Sequence, residues 1–141
     1  MRRLPDLRTC LVALLAGAVV GVVVPLVGDW VGSLLETAVR KPFRGWEMAV
    51  VQVALVTVPG GAVVGLLGAC SKRWTLGLGI GAVLHALVFA ADVVTSDSMR
   101  AAPETVRYWV LTVGIVTGGI AGAVGGVLYQ VINRQRTGSE S

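Results

Sequence analysis

Charge is what this chain has least of: Asp, Glu, Lys and Arg make up 14% of its 141 residues, where an ordinary soluble domain carries about 25%. A water-facing surface of usual polarity is therefore excluded. Histidine occurs once, as His85, and cysteine twice, as the distant Cys10 and Cys70. Three such residues cannot furnish an ordinary zinc site, which draws four ligands mostly from Cys and His. There is no G-x-S-x-G nucleophile elbow and no G-x-x-x-x-G-K-S/T phosphate loop, so the chemistries those motifs support are set aside. No metal and no cofactor are expected. The net charge is +4, yet nucleic-acid binding needs a basic face on a folded soluble surface, and such a surface is missing. The positive excess reads instead as topogenic charge at the ends of membrane spans.

What the chain does have is apolar bulk and glycine: 55% hydrophobic residues, 19 glycines and a mean hydropathy of +0.78. One membrane helix takes about 20 apolar residues, which leaves room for four spans. The pattern predicts a single all-α membrane domain over 1–141, a four-helix transmembrane bundle with spans at about 10–27, 48–70, 74–94 and 108–132. Span one follows a basic head (Arg2, Arg3, Arg8). Its apolar stretch exceeds the roughly 7–15 residues of a signal-peptide core, so it reads as a retained helix.

Between spans one and two, Val31, Leu34, Leu35 and Ala38 fall at helical spacing, with Glu36 and Arg40 as an i,i+4 pair. This predicts a short interfacial amphipathic helix, capped by Asp29 and stopped by Pro42. Ser71-Lys72-Arg73 is a tight basic turn and 95–105 a polar loop, while 133–141 form a cytoplasmic tail expected to be disordered.

Arg2, Arg3, Arg8, Lys72, Arg73, Arg134 and Arg136 lie on one side of these spans, against Arg40, Lys41, Arg44, Arg100 and Arg107 on the other. The bias predicts a multi-pass protein with both termini cytoplasmic. Preference for Arg over Lys, alongside abundant Val, Ala and Gly, suggests a bacterial inner membrane. Cys10 and Cys70 then sit on the reducing side and serve as filler.

Each span carries small residues at intervals of four: Ala13, Gly17 and Gly21; Gly61, Gly65 and Ala69; Gly77 and Gly81; Gly114, Gly118, Gly122 and Gly126. In water each Gly costs a helix about 1 kcal/mol relative to Ala. In lipid, bare backbone lets helices approach closely and pack. These ladders predict a tight bundle. Gly119 and Gly125 put glycine on further faces of span four and suggest self-association. Spans two and four also resemble each other, Val58-Pro59-Gly60-Gly61 aligning with Val116-Thr117-Gly118-Gly119. Interrupted helices at matching places in two halves can mark a transport site.

Few residues could carry chemistry. His85 lies near the middle of span three, on one face with Gly81 and Asp92. An ionisable group at that depth faces the protein interior. Pro59 kinks span two by removing the amide that would bond the Leu55 carbonyl. Gln52, Pro59, His85, Asp92 and Arg107 are the pathway or polar-pocket candidates, with Asp92 and Arg107 expected to pair because an unpaired buried carboxylate is costly.

The leading reading is a non-enzymatic membrane subunit, or an oligomeric channel or transporter component. Its partners would be membrane lipids, a second copy or another membrane protein. One alternative is a small enzyme acting on a lipid or isoprenoid-like substrate, with His85 and either Asp92 or Glu47 as a catalytic acid–base pair. Another is a purely structural or accessory protein.

Overall fold

The computed structural model describes residues 5–39 and 46–138; of residues 35–39, 46–54, 98 and 136–138 it describes the backbone alone. The roles expected of Arg2, Arg3, Arg40, Lys41, Pro42 and Arg44, and of the side chains of Glu36, Glu47, Gln52 and Arg136, fall outside that description. Every described element is helical: α1 (Leu7–Val39), α2 (Trp46–Ser71), α3 (Trp74–Thr95), the short α4 (Asp97–Ala101) and α5 (Glu104–Gly138). Among the described residues three segments are long and apolar enough to cross a membrane: Leu7–Leu34, Trp74–Thr95 and Glu104–Gln135. The part of α2 whose side chains are described, Leu55–Ser71, is a shorter apolar helix.

Helix α1 corrects the expectation of a separate interfacial helix. It begins at a cap, where Asp6 Oδ1 accepts the Thr9 amide at 3.2 Å, and runs unbroken through Pro25, Gly28 and Asp29. The reason lies at Pro25. A proline within a helix removes the N–H that would bond the carbonyl four residues back, here that of Gly21. The Thr57 hydroxyl of α2 donates to that carbonyl at 2.8 Å, and both Pro25 and Thr57 are buried. One turn on, Gly28 lies against Val113 of α5. Asp29 is no cap but an interior residue whose carbonyl accepts the Ser33 hydroxyl at 2.8 Å.

Two further expectations change. The 133–141 tail was expected to be disordered, but α5 continues to Gly138. Once nucleated, a helix gains one hydrogen bond for each residue it adds, and Gln and Arg are good helix formers. The polar loop after α3 contains α4, which turns Met99 inward onto Phe89, Val106 and Val110.

Helices α1 and α2 pack on each other, as do α3 and α5, while α2 and α5 also meet each other directly. Helix α1 further contacts α5, and α3 contacts α2. The four long helices therefore form a rhombus with α2 and α5 on the short diagonal and α1 and α3 at the far corners. Glycine sets this geometry. Gly17 and Gly21 of α1 meet the backbone of Gly61, Gly65 and Thr57. Across the other pair, Gly81 faces Gly118 and Gly77 faces Gly122, again backbone to backbone. Gly114 makes room for the Phe89 ring, and Gly126 for the backbone of Trp74.

Lys72, at φ 61°, occupies the left-handed region and reverses the chain between α2 and α3. The turn is tied to α5: Gln130 Nε2 donates to the Lys72 carbonyl at 3.2 Å, and the Lys72 ammonium lies 5.7 Å from the centre of the Tyr129 ring.

The outside of the bundle is apolar as well as its core. The buried positions hold Val64, Phe89, Met99, Val106 and Val110 with Ala13, Ala69 and Ala121, and among them Thr9, Thr57, His85 and Thr117. Leu15, Val19, Leu55, Val83 and Leu87 point outward, each more than half exposed.

Candidate functional site

The buried side of α3 is a single row at four-residue spacing: Gly77, Gly81, His85 and Phe89. His85 is 3% exposed. Its ring lies 6.3 Å from that of Phe89, tilted by 33°. Glycines from the two central helices flank it. A Cβ at Gly118 would fall on Nδ1 and Cγ, and one at Gly60 would come 3.2 Å from Nε2. These are the two positions matched by the Val58–Gly61 and Val116–Gly119 alignment.

The imidazole hydrogen-bonds the backbone of Gly81, one turn back on its own helix. Only a ring N–H can donate to that carbonyl. Nε2 is buried without a partner, so the donor is Nδ1, and neutral His85 presents a bare lone pair at Nε2.

Above the ring, α2 and α3 separate and leave a groove of about 360 Å³ lined by Val56, Pro59, Gly60, Val63, Val64, Leu84, His85 and Val88. Its rim residues Val63 and Val88 are exposed, so it opens sideways on the outside of the bundle. Pro59 and His85 thus belong to one site. Pro59 also leaves the Leu55 carbonyl without its helical donor.

Asp92 and Arg107 do not join them. Asp92 shares a face with His85, but seven residues of helix put it about 10 Å further along the axis. The proposed His85–Asp92 acid–base pair is therefore not formed. The expected pairing of Asp92 with Arg107 is not formed either. Arg107 Nε is buried without a partner in a second cleft, of about 320 Å³, whose α3 wall is Ala90, Val93 and Val94. At 100° per residue, Asp92 lies about 60° to one side of Phe89 while those three lie to the other. An ion pair that does form, Arg100–Asp97 at 3.8 Å, is exposed and contributes little. Among the described residues, no group of three or more His, Cys, Asp and Glu is placed to hold a metal.

The glycines on several faces of α5 also pack within the chain: Gly118 and Gly122 toward α3 backbone, Gly119 more loosely toward Leu78 and Ala82 of α3, Gly125 toward Gly65 and Ala69 of α2, and Gly126 toward the start of α3. Sequence reasoning missed the Thr57–Gly21 bond and the place of Gly60 beside the histidine. Pro25 carried the signal for the first, because an interior proline always orphans the carbonyl four residues earlier. Comparison with protein-family models, with curated proteins and with solved structures yields no match.

Proposed function

We propose that the chain is a non-enzymatic, multi-pass membrane subunit whose four long helices all lie in the bilayer, with both termini cytoplasmic. The observation that carries the reading is the apolar exterior. Leu and Val line the outside of the bundle, while Thr and His lie within it among glycine backbones. Water would penalise so extensive an apolar exterior, whereas lipid matches it. The reading takes α2 as the fourth span and the basic residues of the α2–α3 turn as an inner-face anchor.

Of the non-enzymatic roles, a subunit is favoured over a pore within one chain. Backbone-on-backbone contacts fill the middle of the rhombus, and His85, Asp92 and Arg107 lie in separate places instead of along one path. Ion or solute flux into liposomes should stay at background for the wild type and for His85→Ala alike. Flux through the wild type that His85→Ala abolishes would overturn the subunit reading in favour of transport.

The topology has its own test. Cys10 and Cys70 stand at the same end of the antiparallel α1–α2 pair. A membrane-impermeant maleimide should label both in inverted vesicles and neither in right-side-out vesicles. The opposite pattern would reverse the orientation.

A further inference from the structure

We propose that the groove between α2 and α3 binds a neutral lipid alcohol, whose hydroxyl donates to His85 Nε2 while its apolar body leaves sideways between Val63 and Val88. The proposal goes beyond the subunit reading but rests on its membrane setting.

The first argument is the orphaned acceptor. Nε2 is buried with no partner, and with Nδ1–H engaged by Gly81 it can only accept. An unmet buried polar atom is destabilising, and the penalty grows where water cannot reach it. A bound species that supplies one donor relieves it.

The glycine that faces the acceptor is the second argument. A Cβ at Gly60 would lie 3.2 Å from Nε2 and 3.3 Å from Cε1, so glycine keeps that edge of the imidazole free of a side chain on the groove side, and any other residue at 60 would cover it.

Third, the lining chooses the ligand class. Among the described residues every other wall residue of the groove is Val, Leu, Pro or Gly. Water needs two to four polar partners and finds one here. A phospholipid headgroup would bring charge to the middle of a 22-residue helix, where it is strongly disfavoured. An alcohol brings a single donor and its own apolar surface. The volume, about 360 Å³, falls at the small end of ligand pockets and suits the hydroxyl end of a chain whose remainder stays in the bilayer.

The test uses the full chain in lipid nanodiscs with three diazirine probes: a long-chain alcohol, its methyl ether and a plain hydrocarbon. In the wild type the alcohol should label Val63, Leu84 and Val88 about tenfold more than the ether, as one hydrogen bond allows. His85→Phe should remove that preference. So should Gly60→Ala, which keeps the histidine but occupies the space before Nε2, and which decides the matter if the phenylalanine variant does not fold. Equal labelling by alcohol and ether in the wild type would overturn the proposal, as would a preference that survives Gly60→Ala. The hydrocarbon probe separates the two readings. Labelling of outward residues such as Leu15 and Leu87 with no alcohol preference at Val63, Leu84 and Val88 sinks the groove alone, while no labelling of the outward residues sinks the membrane setting and the groove together.

Discussion

Gly122→Ala should destabilise the bundle by about 3 kcal/mol, while Gly79→Ala should leave it unchanged or more stable by up to about 1 kcal/mol. The two substitutions add the same methyl group to glycines of neighbouring helices. At Gly122 that methyl would fall on the carbonyl of Gly77 and come 3.3 Å from Val64 Cγ1. A backbone carbonyl cannot rotate aside as a side chain can, so α3 and α5 must move apart. Separation would also loosen Gly81 from Gly118 one turn away, because close helix contacts in lipid rest on packing at short range. At Gly79 the methyl meets nothing within 4 Å, and only the helix-propensity gain remains. Unfolding by a denaturing detergent titrated into mixed micelles measures both. Equal losses at the two positions would show that glycine content, and not the seam, governs stability.

This contrast also shows what the sequence made legible. Regular four-residue spacing marked the faces that meet, because a small residue at such intervals has one efficient use in a helix surrounded by lipid. Which ladder meets which is a different matter. Nothing in the spacing says that Gly125 turns to Gly65 of α2 while Gly122 turns to Gly77 of α3, since pairing depends on the rhombic arrangement of all four helices. The same limit applied to the polar residues. His85 was recognisable as buried from its depth in an apolar run. Its proposed partner failed because sharing a helix face says nothing about the about 10 Å between residues seven apart. Hydropathy misled at 28–39, where a fall in apolar character after Val27 was read as the end of a helix. Hydropathy reports the medium a segment prefers, whereas the helix ends where backbone hydrogen bonds can no longer be satisfied.

That principle gives the second large effect. Thr57→Val should cost about 2 kcal/mol in the natural chain and only about 0.3 kcal/mol in a Pro25→Ala background. Valine keeps the shape of threonine but removes the hydroxyl that donates to the Gly21 carbonyl at 2.8 Å. With Pro25 in place, that carbonyl has no amide four residues on to replace the loss, and it is buried between α1 and α2, against which Gly21 packs. Alanine at 25 restores the amide, so the carbonyl keeps a donor whether or not Thr57 is present. The four stabilities, measured by the same detergent titration, give a coupling that does not depend on whatever void the shortened side chain at 25 leaves. A threonine whose loss costs the same in both backgrounds would be acting as a general tether between helices. A threonine whose worth vanishes when the proline is removed is instead the reason α1 crosses Pro25 without ending, and hence the reason the segment that looked interfacial belongs to the first long helix.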